Sequence, residues 1–210
     1  MKSRVHTLFP LAALEFVDFP ITDKEISKLI RDQNFVPIMP AANGLISSQK
    51  YLLNLKKNSS LKKNLLYCVK EYTQNVLDIG RSVSFYLQNS WMIKHRPGDW
   101  GQTHFHENSL LSGILYLKTP PNSGDLLLHR NLNVSTDITP HINFPHRKPN
   151  LYNADSFVCQ ATEKKLILFP ANMNHSIRRN ESSEDRYSIA FNVFFKGRLG
   201  EETRMNVAQI

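Results

Sequence analysis

The sequence predicts a mainly β fold, in which flanking N-terminal helices pack on a β-sandwich or barrel. Helical periodicity is confined to residues 1–80, apolar and polar residues alternate over most of the chain after that, and turn residues separate the alternating stretches. Helices followed by many short strands are typical of a sheet that helices cover on one face. The 210 residues are enough for one well-buried domain and few for two.

Composition excludes several classes of protein. Hydrophobic residues make up 41% of the chain and charged residues 21%, which is unlike a disordered or fibrous sequence. The longest apolar runs are too short to span a bilayer, and Glu15 and Asp18 interrupt the N-terminal apolar stretch, so neither a membrane partner nor a signal peptide is predicted. We therefore expect a cytoplasmic protein in which Cys68 and Cys159 are free thiols.

The net charge of +8 leaves two interpretations open. A basic surface can bind nucleic acid or another polyanion. However, no aromatic residue interleaves with the densest lysine cluster, in residues 56–63. A solvated helix face is therefore the favoured interpretation, and nucleic acid remains a less favoured partner.

Two helices are predicted before the strands. The first spans Thr22 to Gln33, because Thr22 and Glu25 have the spacing of a capping box. The second begins with Ser60 as its cap and ends near Gly80, and its apolar residues recur at helical spacing. These residues are Leu61, Leu65, Val69, Tyr72 and Val76.

The period changes to two after Gly80. Val83, Phe85 and Leu87 alternate with polar residues, and the pattern resumes at Trp91 and Ile93 after a short break. Five further strands are predicted at Leu110 to Lys118, Asp125 to His129, Phe157 to Ala161, Leu166 to Phe169 and Arg186 to Phe195.

Residues 131–153 form a Pro- and Asn-rich segment too long for a hairpin loop, so we expect a lid at the substrate entrance or a mobile loop. Its His141 and His146 are interpreted as loop residues. Together the elements predict a single domain over residues 1–210, with a mainly helical support in 1–80, a β core in 81–196 and a C-terminal tail in 197–210.

Three motifs carry candidate chemistry. His104 and His106 are two residues apart, so on a strand both imidazoles would point to one face, as binding to one metal ion requires. His175 follows the apolar strand Leu166 to Phe169 and a short polar turn, which would bring a third histidine from another strand. Imidazole is a suitable ligand for iron, zinc, copper or nickel.

The third motif is the strand that begins at Arg186. One of its faces is apolar, whereas the other carries Arg186, Ser188, Ala190 and Asn192, a small and polar set that suits the wall of a cavity. The planar guanidinium of Arg186 can bind a carboxylate through two hydrogen bonds, and Ser188 on the same face can donate another.

In order and spacing, these motifs resemble the Fe(II)- and 2-oxoglutarate-dependent oxygenase superfamily. Ten residues separate His175 from Arg186, which is similar to the superfamily's interval between its distal histidine and its 2-oxoglutarate anchor. Residues 104–117 and 168–175 are similar, more narrowly, to a group of such oxygenases that is frequent in bacteriophages and marine bacteria. The resemblance covers most of residues 80–195.

The resemblance implies a double-stranded β-helix, which is a jelly-roll or cupin-like barrel. It implies one Fe(II) held by His104, His175 and a third ligand, with 2-oxoglutarate held by Arg186 and Ser188. The expected enzyme is a dioxygenase that uses O2 to hydroxylate an unidentified small molecule or protein side chain and releases succinate and CO2. Its setting would be the cytoplasm of a bacterial or phage-infected host cell.

The first motif departs from the superfamily pattern, because His106 stands where an aspartate or glutamate is usual. His106 itself, Glu107, Asp125 or water could supply the third ligand. Strand parity favours His106, since it shares a face with His104 while Glu107 points away.

Two other functions compete with this interpretation. Gly98, followed after five residues by His104 and His106, resembles the first motif of cupins that do not use 2-oxoglutarate, although the expected glutamate is missing. The net charge would suit a non-catalytic barrel that binds nucleic acid. A binding module of that kind has no need of His104, His175 and Arg186 together.

Overall fold

The computed structural model describes residues 1–38, 43–130, 147–200 and 207–210. Most of the predicted lid, residues 131–146 with His141 and His146, lies outside the described residues. The α helices are α1 (Asp23–Arg31) and α2 (Ser59–Lys70), and a π-helical turn over Glu71–Val76 continues α2. None of the described helices is long and apolar enough to cross a membrane.

Twelve strands are described. They are β1 (Leu14–Phe16), β2 (Phe35–Pro37), β3 (Leu45–Ser47), β4 (Val83–His95), β5 (Gly101–His104), β6 (Leu111–Lys118), β7 (Leu126–His129), β8 (Ser156–Cys159), β9 (Leu166–Pro170), β10 (His175–Ile177), β11 (Arg186–Leu199) and β12 (Ala208–Gln209). Two 3-10 helices, Leu52–Asn54 and Lys56–Asn58, precede α2. Residues 1–80 thus contribute three short strands in addition to their helices.

The helix boundaries follow their caps. The predicted capping box at α1 is confirmed, because the Thr22 hydroxyl accepts from the Glu25 N–H while the Glu25 carboxylate accepts from the Thr22 N–H. The predicted cap at Ser60 is wrong. Asn58 occupies the cap position of α2, and its side-chain amide donates instead to the Leu52 carbonyl.

The strands form two antiparallel sheets. The large sheet has the order β1-β9-β6-β11-β4-β3-β2, with β12 beside the end of β11, and the small sheet has the order β5-β10-β7-β8. At 13 and 14 residues, β4 and β11 are much longer than the strands of the small sheet. The small sheet therefore covers only part of their length.

Two apolar clusters lie on the two faces of the large sheet. Ile189, Phe191 and Val193 of β11 belong to the cluster that packs against the helices, as the alternation along that strand predicts. The other cluster lies between the sheets and joins residues of both. It consists of Ile114, Tyr116, Leu126, Leu128, Cys159, Ile167, Phe169, Met173 and Ile177. The second face of β11 borders this interior.

Strand β4 is continuous, although its sequence pattern predicts a break between Leu87 and Trp91. Asn192 of β11 pairs with Asn89, and the next residue, Val193, pairs with Leu87, so Gln88 is an extra residue in β4. A β-bulge of this kind exchanges the two faces of a strand without ending it. Leu87 consequently packs in the cluster against the helices, while Trp91 lies opposite Ala190 on the interior face.

Candidate metal centre

Three histidines converge where β5 and β10 pair. His104, the last residue of β5, lies directly opposite His175, the first residue of β10. The ring centroids of His104 and His175 are 4.3 Å apart. The ring centroid of His106 lies 5.2 Å from that of His104 and 5.0 Å from that of His175. One ring nitrogen of each histidine lies within 4.8 Å of the other two. The spacing suits a single metal ion.

The strand-parity argument for His106 needs correction, because β5 ends at His104. Two other contacts bring His106 into the cluster. Its backbone N–H donates to the Ala171 carbonyl over 2.8 Å, and its Nδ1 lies 2.6 Å from Oδ1 of Asn192. His106 is therefore positioned by its loop and by β11.

The same kind of hydrogen bond orients all three rings. Nδ1 of His104 lies 2.8 Å from the Gln102 carbonyl, and Nδ1 of His175 lies 3.0 Å from the Met173 carbonyl. A carbonyl only accepts, so each Nδ1 carries its proton and donates. For His106 the acceptor of the Nδ1 proton is Oδ1 of Asn192, which also accepts from the Ser112 hydroxyl at 3.0 Å. Each Nε2 is left with a free lone pair, as a metal ligand requires.

Burial keeps two of the imidazoles neutral. It lowers the pKa of His175 to about 3, against a weaker opposing effect of the hydrogen bond to Met173. Burial also lowers the pKa of His106. Neutral imidazole is the form that binds metal, so His106 and His175 can bind an ion without first losing a proton.

The other predicted third ligands lie outside this cluster. Among the described residues, the group that could hold a metal ion consists of His104, His106 and His175 only. Glu107 lines the mouth of the site but does not join the group. Asp125 accepts from the Ala161 N–H and lies 3.9 Å from Arg178, so its carboxylate is engaged elsewhere.

The two predicted anchor residues lie deeper, on the interior face of β11. Arg186 and Ser188 are each 1% exposed. In the register of the large sheet, Arg186 lies opposite His95 of β4, and Ser188 lies opposite Tyr116 of β6. Directly paired residues of antiparallel strands share a face, so these four side chains all lie on the interior face of the large sheet. Asn192, farther along this face, reaches the histidines.

Arg186 makes contacts with uncharged groups. It donates from Nη1 to the Gly124 carbonyl and from Nη2 to Nδ1 of His95, both over 2.8 Å. Its guanidinium carbon lies 5.7 Å from the centre of the Tyr116 ring. Burial lowers the pKa of Arg186, because removal from water disfavours its charged form.

Three buried side-chain atoms have no hydrogen-bond partner in the described part of the chain: Oδ1 of Asn89, the Tyr116 hydroxyl and Nε of Arg186. Each belongs to a residue on the interior face of the large sheet, since Asn89 lies opposite Asn192. A buried polar atom without a partner is unfavourable. The interior face between the histidines and Arg186 therefore carries unused hydrogen-bonding groups that suit a polar ligand.

An open depression of about 540 Å³ gives access to the histidines from outside. Its lining residues are Thr103, His104, Phe105, His106, Glu107, Asn174 and Asn192. The sequence placed Asn192 on the cavity-lining face of the strand that begins at Arg186 but gave it no role. It did not single out Tyr116 or His95, because their positions depend on the pairing between strands.

Comparison with known proteins agrees with this geometry. Residues 89–192 match the model of a family described as "Putative 2OG-Fe(II) oxygenase". No curated protein matches the sequence.

Several solved structures share the fold at low sequence identity. A Pseudomonas putida prolyl-4-hydroxylase is 11% identical over 87% of this chain and 92% of its own, with a TM-score of 0.55. HygX of Streptomyces hygroscopicus, solved with nickel, 2-oxoglutarate and hygromycin B, is 11% identical over 87% and 82%, with a TM-score of 0.57. The epimerase SnoN from nogalamycin biosynthesis is 11% identical over 90% and 82%, with a TM-score of 0.62. The double-stranded β-helix expected from the sequence is thereby confirmed.

Proposed function

We propose, on the premise that residues 89–192 match the 2OG-Fe(II) oxygenase family and that the chain has the fold of those enzymes, that this protein is an Fe(II)- and 2-oxoglutarate-dependent dioxygenase. One observation supports the proposal most strongly. The Nδ1–H groups of all three clustered histidines are held by acceptors, and Arg186, which has no carboxylate partner among the described residues, lies on the same interior face as Asn192, the partner of His106.

The donor set fits Fe(II). His104, His106 and His175 would hold the ion through imidazole nitrogens, which suit iron, and co-substrate and O2 would take the positions that these residues leave open. We infer that His106 is the third ligand, because Glu107 and Asp125 do not join the group. An all-histidine site is one charge more positive than the usual site with two histidines and a carboxylate.

The interior face fits 2-oxoglutarate. This dianion carries a keto acid at one end and a second carboxylate at the other. Arg186, with Nε–H unpaired, would bind the second carboxylate, and Ser188 would donate to it. The unpaired Tyr116 hydroxyl opposite Ser188 would donate as well. The keto acid would then lie toward the histidines.

We infer hydroxylation as the reaction. When bound, iron and 2-oxoglutarate supply the oxidising chemistry, with succinate and CO2 as products. In this chain, the three histidines would hold the iron, Arg186 would orient the co-substrate, and the depression of about 540 Å³ would be left for the substrate. The prolyl-4-hydroxylase among the similar structures supports hydroxylation, while the epimerase shares the same fold with a different outcome.

The test is anaerobic loading with Fe(II) and 2-oxoglutarate, followed by admission of O2 and measurement of succinate. Even without substrate, slow succinate formation is expected from the wild type and none from His175→Ala. His6→Ala serves as a matched control, because His6 is exposed and remote in sequence from the cluster. Equal succinate formation by His175→Ala would contradict the proposal.

The all-histidine ligand set favours one second candidate, a cupin-type metalloprotein that does not use 2-oxoglutarate. That function predicts Fe(II) binding without any change in the visible absorbance of the anaerobic protein when 2-oxoglutarate is added. It also leaves the buried charge of Arg186 without a role, which is why the oxygenase is preferred.

A further inference from the structure

The charge of Arg186 has no carboxylate partner, although the side chain is almost completely buried. None of the ion pairs among the described residues includes Arg186. Asp125 is close enough to act on its charge, but the carboxylate of Asp125 is bonded to the Ala161 N–H and faces Arg178. Buried charges are ordinarily paired, so a buried arginine held by uncharged acceptors needs a reason.

His95 lies beside Arg186 where a carboxylate partner would ordinarily be expected. It is 2% exposed, lies directly opposite Arg186 across β4 and β11, and accepts from Nη2 at Nδ1 over 2.8 Å. Guanidinium nitrogens only donate, so Nδ1 must be the unprotonated nitrogen of the ring. Burial, and then the charge of Arg186, lower the pKa of His95 to about 3. His95 is therefore an acceptor without charge.

This pairing fixes the guanidinium without neutralising it. Of its five N–H donors, two are used by His95 and the Gly124 carbonyl. The Nε–H and one N–H on each terminal nitrogen are left for a ligand. A carboxylate in place of His95 would fix the same geometry but would also neutralise the charge of Arg186. The guanidinium would then attract an incoming anion only weakly.

The His95 ring is itself held by its surroundings. Gly44 lies against it with φ of +133°, and a Cβ on that residue would be 2.9 Å from Cδ2 of His95. A glycine is therefore required on that side of the ring, for both its backbone conformation and its size.

We propose that His95 is a positioning residue of the co-substrate site, which holds Arg186 with an uncharged acceptor so that the whole guanidinium charge is available to the distal carboxylate of 2-oxoglutarate. The proposal rests on the proposed function. It assigns to His95 a role in selecting dicarboxylate over monocarboxylate keto acids.

The experiment compares His95→Asn with His95→Asp. The two side chains have nearly the same shape, and each can place an oxygen near the position of Nδ1, but only aspartate is charged. Each anaerobic Fe(II) protein is titrated with 2-oxoglutarate and with 2-oxobutyrate, which has the keto acid but lacks the distal carboxylate. Binding is followed by the absorbance of the iron complex, so turnover is not needed.

We expect His95→Asn to bind 2-oxoglutarate within about threefold of wild type, and His95→Asp to bind it roughly 30-fold or more weakly, since the arginine charge is then already paired. The affinity for 2-oxobutyrate should be about the same in all three proteins, because that ligand does not reach Arg186. A merely structural role of His95 would not change the ratio between the two ligands.

Two results would overturn the inference: equal 2-oxoglutarate affinity in His95→Asp and wild type, or equal weakening in both variants. A wild type that binds neither keto acid would instead refute the proposed function. If His95→Asp does not fold, the ¹⁵N shifts of the His95 ring in the wild type decide, with His95→Asn providing the assignment. An unprotonated Nδ1 beside a protonated Nε2 supports the inference, and a protonated Nδ1 overturns it.

Discussion

At the scale of single residues, the clustered histidines differ in how firmly they are held. His175 is 3% exposed and packs against the Phe169 ring, whereas His104 lies at the surface. His106 is intermediate and has Trp91 beside it, with ring centroids 5.9 Å apart. The metal would thus be held between a buried ligand on β10 and an exposed one at the end of β5.

These positions lead to a prediction about metal affinity. His175→Ala should abolish stoichiometric Fe(II) binding, and His106→Ala should weaken it far more than Glu107→Ala or Asp125→Ala does. Asn192→Ala should lower the affinity for Fe(II) roughly 10- to 100-fold, since it removes only the partner of the His106 ring. Anaerobic Fe(II) titration with a competing chelator measures all five. Damage in Glu107→Ala without damage in His106→Ala would show that the carboxylate is the ligand.

A second residue-scale prediction concerns the co-substrate anchor. Arg186→Ala leaves a carboxylate unpaired in a buried site, at a cost of about 2–5 kcal/mol in binding and hence a roughly 30-fold or larger rise in the dissociation constant of 2-oxoglutarate. Arg186→Lys should recover part of the affinity, because the charge returns without the planar fork. Ser188→Ala should cost about 0.5–2 kcal/mol, as the loss of one hydrogen bond.

Titration of the anaerobic Fe(II) proteins with 2-oxoglutarate measures these three affinities, and Fe(II) affinity is the control that should hardly change. If Arg186→Ala binds 2-oxoglutarate as well as wild type does, Arg186 is not the anchor of the co-substrate. The cupin-type function, which does not use 2-oxoglutarate, is then favoured over the oxygenase.

Sequence spacing could predict the clustered residues because chemistry and local geometry act over short stretches. His104 and His106 were found from their spacing of two residues, and His175 from the apolar strand and short turn that precede it. His95 and Tyr116 could not be found in this way. His95 meets Arg186 from 91 residues away, and only the register of β4 against β11 decides which of the intervening side chains faces it.

At the scale of elements, the β-bulge in β4 shows why alternation alone misplaced a boundary. The apolar pattern changes phase at Gln88, and from sequence a change of phase is the same signal as the end of one strand and the start of another. The pairing partner distinguishes the two cases, because β11 runs past the bulge without interruption.

The pairing of β6 with β11 leads to a prediction about stability. Gly113 lies opposite Phe191, and a Cβ on Gly113 would be 2.2 Å from Cζ of that fully buried ring. Gly113→Ala should therefore destabilise the fold by about 1–3 kcal/mol, as overpacking does. Gly80→Ala is the matched control, because its Cβ would meet nothing within 4 Å, and it should change stability by about 0.5 kcal/mol or less.

Urea unfolding of both variants provides the measurement. A Gly113→Ala protein as stable as Gly80→Ala would mean that Phe191 can move aside, and that the cluster against the helices is less tightly packed than the contact implies.

At the scale of the whole molecule, buried neutral histidines make the free energy of unfolding depend on pH. Burial lowers the pKa values of His95 and His175 to about 3 in the folded protein, against an ordinary value of 6.5. Between these values the unfolded chain binds protons that the folded chain does not. The contribution of these two histidines to the free energy of unfolding is therefore complete above pH 6.5 and is lost as the pH falls toward 3.

The expected slope is about 1.4 kcal/mol per pH unit for each such histidine within that range. Urea unfolding of the metal-free protein at several pH values should show His95→Asn losing stability on acidification less steeply than wild type, by about that slope. His6→Asn should follow the wild-type curve. Parallel curves for His95→Asn and wild type would show that His95 titrates alike in the folded and unfolded chain.

The long ribbon of β4 and β11 restricts how this protein can evolve. In β11, Asn192, the residue that bonds to His106, lies six positions after Arg186. Inserting or deleting one residue between them would turn Arg186 onto the face that packs against the helices, because side chains alternate along a strand. Substitutions in this stretch can change the interior face gradually, but a change of its length would remove the anchor in a single step. Homologues with the same chemistry should therefore vary in residue identity here and keep the interval constant.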